Sequence, residues 1–514
     1  MQKITKEEIR EATKRLLSYK AFKAEDDSRM KNNEKWWRME HWDTLPVSAS
    51  ALKPRSAWLF NSIINKHADA MDNKPAPTVL PRSRDDKEAA KLLSAVLPVI
   101  LENCDFEKVY SDVWWDKLKY GTGAIGVFWN SSLSSGLGDI EIKRINPINL
   151  YFEPGVLSVQ DSCEVFYLET LSADRIKEIS PDADLSTAKG ILESEDAPNR
   201  YCLVNWYYKK GGVLHFAKFV GDNLLFSSEN DKNYESTGWY SHGKFPFVLD
   251  TVFPTMKSPL GFGYIDTMKD SQMFIDLLSR SILENAMLSS KKRFFIRDDG
   301  SINENEFLDF SNPIIHSSGN LGEDSIREFT TSPLSSVYMA VLNSKIDEIK
   351  ETSGNRDFSQ GSTSSGVTAA SAIAALQEAG NKLSRDMLSS SNRAFREECY
   401  MIIELIRQFY SAPRVLRITG DEFQQFDNSL LLPQSQGEDF GISYADRVPV
   451  FDIVVHSEKG SPMGKTTINA LAKEFFQLGF FSPERAKEAF HAVSMMDFEG
   501  KEDVLKSISE NIVN

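Results

Sequence analysis

Residues 261–293 read GFGYIDTMKDSQMFIDLLSRSILENAMLSSKKR. Gly261-Phe-Gly263 ends a proline-marked loop, and apolar side chains then recur at Tyr264, Met268, Ile275, Leu278 and Ile282. That spacing puts them on one face of a helix. Lys291-Lys-Arg293 places cations where the negative end of the helix dipole favours them. A stretch of mixed strand and turn character follows, through Ile314-Ile315 and Gly319. Ser332-Pro333 then predicts a second helix, with serine as N-cap and proline at the first helical position. Leu334, Val337, Tyr338, Val341, Leu342, Ile346 and Ile349 form its apolar stripe. After Ser353-Gly354 a polar Gly/Ser loop leads into a long helix that can continue to the residue before Pro413. Two antiparallel helices with an excursion at their far end describe a mechanical element, not a catalytic site.

Length and composition set the outer bounds. A chain of 514 residues is too large for one core, and two to four structural regions are expected. A hydrophobic content of 41% with 32 Phe and 9 Trp excludes disorder as a description of the whole. No apolar run approaches the roughly 18 residues that span a bilayer. The first residues, Met1 to Ile9, are charged and helical, with a capping box at Thr5 and Glu8, so a chain made and used in a cytosol is expected. Cys104, Cys163, Cys202 and Cys399 lie far apart without a C-x-x-C pair, which leaves zinc and redox motifs out. The formal net charge of −15 argues against a protein that grips DNA tightly through its phosphates. It permits a conduit, whose acidic or neutral wall lets a duplex slide.

Along the chain, a charged helix precedes a tryptophan-rich stretch with Trp36, Trp37 and Trp42, and a helix is predicted from Ser48 to about Asp72. Pro75 to Pro81 reads as a short extended break. Asp85 to Tyr120 reads as strongly helical with a kink at Pro98. Gly121 to Trp129 and Asp139 to Ile145 form a hairpin that ends at Asn146-Pro147. Strands at Cys202–Tyr208 and Val213–Val220 and a helix near Ser172–Ile179 follow. Beyond Pro413, strands at Val415–Ile418 and Phe451–Val455 precede two helices. One stops at Gly479 and the other starts at Ser482-Pro483.

Several motifs imitate chemistry. Gly460-Ser-Pro-Met-Gly464-Lys465-Thr466 follows a strand and precedes a helix, as a P-loop would. It has three residues between its glycines where a P-loop needs four, and Pro462 removes an N–H from the phosphate cradle. Gly121-x-Gly-x-x-Gly126 follows a helix and opens a strand, the reverse of the dinucleotide-binding order. The seven histidines show no metal-binding spacing, and no G-x-S-x-G elbow supports a nucleophile. No cofactor, no metal and no catalytic residue is expected. Two other readings stay open: an NTPase using Lys465 and Thr466 within Gly460-Thr466, or a different structural or adaptor protein with a long-helix core.

The order of the pieces resembles the tailed-phage portal proteins, the head-to-tail connectors at one vertex of the phage head. The matching residues are Gly261-Phe-Gly-Tyr-Ile-Asp266 with Asn285-Ala286, Glu351-Thr-Ser-Gly354, and Gly361-Ser-Thr-Ser-Ser-Gly-Val-Thr-Ala-Ala370. Tyr120-Gly-Thr-Gly123, the hairpin, and Asn146-Pro147 running into Tyr151-Phe-Glu-Pro154 are similar to the family's wing. The resemblance implies an α+β fold, mainly α, with wing, helical stem, small α/β clip and helical crown. Its expected divisions are a wing over 1–260, stem helices over 261–292 and 332–354, and a clip over 293–331. A channel loop over 355–366, a long wing helix over 367–412, and wing-end strands and crown over 413–514 complete them.

The resemblance also assigns residues. Ile275, Leu278, Ile282, Val341, Ile346 and Ile349 would pack the stem. Arg293, Arg297, Asp298, Asp299, Glu304 and Glu306 would dock partners at the clip. Asn355, Arg356, Asp357, Phe358, Ser359, Gln360, Gly361, Ser362 and Gly366 would face the channel. Implied partners are further copies in a dodecameric ring, double-stranded DNA without sequence preference, the terminase large subunit and a tail or adaptor protein. Capsid protein and scaffolding protein complete the set, and no membrane is involved. The implied location is the virion's portal vertex, reached from the host cytoplasm during assembly.

Overall fold

The computed structural model describes residues 4–45, 48, 51–181, 185, 200–234, 237–290, 293–296, 303–308, 311, 314–318, 326–329, 335–354, 382–419, 422–434, 438–439, 442–443, 446–459, 477–479, 486–494, 504–505 and 508–509. It is mixed helix and sheet, and the chain divides into two compact units that interleave along the sequence. The first comprises 1–67, 112–128 and 142–391, and the second 68–111, 129–141 and 392–514.

In chain order the first half contains α1 (Lys6–Trp37), α2 (Trp58–Met71), β1 (Asn73–Pro81), α3 (Lys87–Asn103) and α4 (Phe106–Tyr120). Next come β2 (Thr122–Asn130), β3 (Asp139–Ile145), β4 (Leu150–Phe152), β5 (Glu164–Ser172) and α5 (Ala173–Ile179). Then follow β6 (Arg200–Lys210), β7 (Val213–Val220), β8 (Asn223–Ser227) and β9 (Phe247–Thr251).

Within the first unit, α1 opens with the expected capping box: the Thr5 N–H donates to Glu8 Oε2 at 2.7 Å, and the Glu8 N–H to Thr5 Oγ1 at 3.3 Å. Strands β4 to β8 form a five-stranded antiparallel sheet in sequence order. Ile9, Ala12 and Leu16 of α1 pack on its Phe166, Val204, Trp206 and Phe219. Arg15 fixes the helix there, donating to both carboxylate oxygens of the buried Glu164, which also accepts from Trp206 Nε1. A second sheet has the order β3-β2-β9.

Two helix boundaries differ from expectation. The helix predicted from Ser48 begins only at Trp58. Just before it, Trp42 Nε1 donates to the Pro54 carbonyl and the Ser56 N–H donates to Asp276. The helix predicted from Asp85 to Tyr120 is two helices. The break falls not at Pro98, which lies inside α3, but after Asn103, where Asp105 takes φ 53°. Aspartate is among the few side chains that visit this left-handed region readily.

Still in the first unit, α6 (Tyr264–Ser290), β10 (Arg293–Ile296), α7 (Glu304–Leu308), β11 (Ile326–Phe329) and α8 (Ser336–Ser353) follow. α6 and α8 run antiparallel: Ser271 Oγ donates to Glu348 at 2.8 Å, and Lys345 lies 5.6 Å from the centre of the Phe274 ring. α6 ends at Ser290, so Arg293 opens a strand rather than closing a helix. β10 and β11 pair antiparallel. The cap of α8 is Ser335, whose Oγ accepts from the Val337 N–H, while the expected start at Ser332-Pro333 lies outside the described residues. Gly354 closes α8 in the left-handed region that a C-terminal cap requires.

The remaining elements are α9 (Lys382–Phe409), β12 (Arg414–Thr419), β13 (Glu422–Phe426), β14 (Glu438–Asp439), β15 (Ile442–Ser443), β16 (Phe451–Lys459) and α10 (Ala486–Ser494). In the second unit, Pro75 to Pro81 is no mere break. It belongs to a nine-residue strand paired antiparallel with β16, from Asn73 opposite Lys459 to Pro81 opposite Phe451. From Asn392 onward α9 buries Ala394, Phe395, Cys399, Ile402, Leu405 and Ile406. It ends at Phe409, before the expected residue, and Arg407 holds the carbonyls of Leu431 and Pro449.

Candidate functional site

The antiparallel hairpin of α6 and α8 is the element whose construction most constrains function, and its root is polar. Asp266, in the first turn of α6, accepts from the Gly263 N–H at 3.0 Å, which satisfies a free donor at the helix start. The same oxygen accepts from Arg29 Nη1 at 2.8 Å and Asn33 Nδ2 at 3.0 Å. Arg29 and Asn33 continue to the carbonyls of Gly261, Tyr120 and Lys119. The backbones meet closely here: a Cβ on Gly121 would fall on Phe262, and one on Gly263 on Gly121 and the Leu118 carbonyl. Gly121 also takes φ +92°, so two separate constraints demand glycine.

Farther along α6, Asp276 gathers a second polar joint. It accepts from the Ser56 N–H at 2.9 Å and from Gln272 Nε2 at 3.1 Å, and His41 Nε2 lies 2.9 Å away. The His41 ring is buried and stacks on Trp36 with centroids 4.4 Å apart. Gln272 also accepts from the Leu59 N–H and donates to the Ser56 carbonyl. Removing Asp276 would therefore orphan several buried donors at once.

A third joint holds the start of α9. Lys117, fully buried, donates to Asp250 Oδ1 at 2.7 Å, to Ser391 Oγ at 2.7 Å and to the Met387 carbonyl at 3.2 Å. Lys66 Nζ donates to Ser384 Oγ at 2.9 Å. None of the three joints is announced by a pattern in the sequence, because isolated Asp, Lys and Ser residues carry no periodic signal.

The expected site residues separate into three groups. Ile275 and Ile349 are buried, and Leu278, Ile282 and Ile346 are half-buried, while Val341 is 42% exposed rather than packed within the chain. Glu304 is exposed, and Glu306 accepts from the backbone N–H of His316 and lies 2.8 Å from its Nδ1. Those hydrogen bonds hold the Glu306 carboxyl below its ordinary pKa. Arg293 stands at the first position of β10. Arg297, Asp298 and Asp299 lie outside the described residues, as do Asn355, Arg356, Asp357, Phe358, Ser359, Gln360, Gly361, Ser362 and Gly366.

Gly460 to Thr466 also lies outside the described residues. The strand that leads to it, β16, belongs to a two-stranded antiparallel sheet. A phosphate-binding P-loop stands instead on a parallel βα sheet. Gly121 to Gly126 opens β2, which pairs antiparallel with β9, so it is a backbone joint and not a dinucleotide fingerprint. Among the described residues, no group of three or more His, Cys, Asp or Glu could hold a metal ion, and no helix is long and apolar enough to cross a membrane.

The model of the family described as phage P22-like portal protein matches residues 60–238 and 258–513. No curated protein matches the chain.

Proposed function

The chain belongs to the phage P22-like portal family, and we propose on that premise that its copies close into a ring, dodecameric by resemblance. That ring conducts double-stranded DNA into and out of a capsid at one vertex. One observation carries the ring. Past Asp276 the hairpin leaves large apolar side chains in solvent: Leu283 47% and Met287 50% exposed on α6, and Val337 62%, Met339 50% and Val341 42% on α8. Large apolar side chains grouped on one element mark a surface that another partner covers. Neighbouring hairpins would cover it. Identical chains joined through two different surfaces close into a ring with a central hole when the rotation allows.

In this reading α6 and α8 are the stem, and residues 293–331 form the clip, which receives the terminase large subunit first and a tail or adaptor protein later. Residues 355–366 line the channel, and 413–514 supply the wing-end strands and the crown. Capsid and scaffolding proteins meet the outer part of the ring at the virion vertex, after assembly in the host cytoplasm. Translocation energy comes from the packaging ATPase. A net charge of −15 suits a passage along which DNA slides.

Negative-stain images of the purified chain test this directly. Rings with an axial hole are expected. A protein that stays monomeric at every concentration, or one that hydrolyses ATP by itself, would sink the proposal.

A further inference from the structure

We infer that the cleft between the outer edge of β1 and the α3–α4 elbow takes an arginine side chain from a basic segment of a partner protein. Every residue that builds this cleft lies in the second unit, so it stands whether or not copies close into a ring.

The outer edge of β1 accepts hydrogen bonds but cannot donate them. The Arg82 N–H donates to the Val450 carbonyl at 3.3 Å, and the register sets Leu80 opposite Asp452 and Thr78 opposite Val454. Hydrogen-bonded and non-hydrogen-bonded positions alternate in an antiparallel pair, so Pro75, Pro77 and Val79 turn their backbone groups away from β16. Val79 shows the sense directly: Ser94 Oγ of α3 accepts from its N–H at 2.9 Å and donates to its carbonyl at 3.1 Å. At Pro77 and Pro75 the same edge has carbonyls and no N–H. Among the described residues neither proline carbonyl accepts a hydrogen bond.

Pro75 and Pro77 line a cavity of about 350 Å³ whose opposite wall comes from the end of α3 and the start of α4. Pro98, Leu101, Phe106 and Tyr110 make that wall apolar, with the Phe106 and Tyr110 ring centroids 5.8 Å apart. Leu101, Phe106 and Tyr110 are buried, while Glu102, Asp105 and Glu107 are exposed at the mouth. Lys74 pairs with Glu107. Glu102 and Asp105, at the break between the two helices, make no ion pair among the described residues.

The cleft is thus apolar in its wall, acceptor-only along one edge and negative at its mouth. An added β-strand fits it badly, because the strand's own carbonyls would face proline nitrogens that have no hydrogen to give. Phosphate is repelled by the two carboxylates. A neutral apolar side chain would leave both proline carbonyls without a donor. A guanidinium answers all three features: it has five donors and no acceptor, its flat faces stack on aromatic rings, and its weak hydration suits a partly buried site. Size agrees, since roughly 300 Å³ is the lower end for a ligand cleft, room for a side chain or two and not for a folded surface. The charge selects a basic partner over another copy, because a chain of formal net charge −15 brings like charge to an acidic mouth.

Methyl NMR of the full chain, read at Ala76 and Leu101 beside the cavity, tests the assignment. The probes are acetyl-Leu-Arg-Leu-amide and its lysine and citrulline counterparts. The arginine peptide should shift both methyl signals in a saturable way. The lysine peptide should bind about fivefold more weakly, and the citrulline peptide, which keeps the shape without the charge, about tenfold more weakly. Equal shifts from all three, or none from any, would overturn the inference. Glu102→Gln combined with Asp105→Asn removes the charge at the mouth and keeps a residue that tolerates the left-handed region. Affinity for the arginine peptide should fall about tenfold while the thermal midpoint stays unchanged. Undiminished binding by this variant would also count against the inference, and the peptide series on the parent chain decides if the variant fails to fold. Shifts at Ala76 and Leu101 that arise when the chain alone is concentrated would give the cleft to a second copy. Shifts raised by a DNA duplex would give it to nucleic acid, and either result sinks the assignment.

Discussion

The root of the α6–α8 hairpin and its outer part are built on opposite terms. At the root, Asp266 and Asp276 are surrounded by donors from α1, from the segment before α2 and from the loop ahead of α6. Every partner lies within the same chain. Farther out, Leu283, Met287, Val337 and Met339 are exposed and have no comparable cover. Directional polar contacts complete the part that must hold its angle alone. Non-directional apolar contacts are left for the part that would meet a copy of itself.

The largest test of this contrast is Asp266→Ala, which leaves Arg29, Asn33 and the Gly263 N–H without their acceptor. The isolated subunit should lose about 3 kcal/mol of stability in chemical denaturation, because one side of a part-buried charged network is removed. A loss below about 1 kcal/mol would mean that the root is not held by this carboxylate. Ile275→Ala, at a buried position of α6, should cost about 2–4 kcal/mol by cavity formation. It marks where the hairpin stops being self-sufficient.

Val341→Asp should do the opposite. Its side chain is exposed, so the subunit's unfolding free energy should move by no more than about 0.5 kcal/mol, while particle formation read by mass photometry should fall sharply. Normal rings from this variant would show that Val341 is ordinary surface.

The smallest effect is electrostatic and lies between the two helices in sequence. Hydrogen bonds from His316 lower the folded-state pKa of Glu306. Their stabilising contribution is therefore present above the ordinary carboxylate pKa of roughly 4.3 and is lost as pH falls through the depressed folded value. The Glu306 carboxyl carbon, followed by NMR, should titrate below that ordinary value, and His316→Ala should bring the midpoint back up. An unchanged midpoint in the variant would assign the shift to another cause.

Periodicity made the hairpin legible in advance, since Tyr264, Met268 and Ile275 recur at helical spacing and are buried. Cap chemistry was equally plain at Thr5, where the expected capping box forms. Pairing between distant segments was not. Nothing in Pro75-Ala-Pro77 announces a partner at Ser457 to Val455, because the partner's identity is set by register and not by local composition. The break at Asp105 is hidden for a related reason: Pro98 is a louder local signal, yet the helix absorbs it. The polar joints were the least readable, each assembled from single residues far apart in the chain.

Lys66 and Lys117 reach serines seven positions apart on one side of α9, just after residues 355–381. An apolar side chain can slip along its neighbour at little cost, but a hydrogen bond loses its strength within a fraction of an ångström. The first turns of α9 are thus cleated rather than greased. Axial load applied to the chain ahead of Lys382 would pass through Ser384 and Ser391 into α2, α4 and β9 instead of sliding the helix.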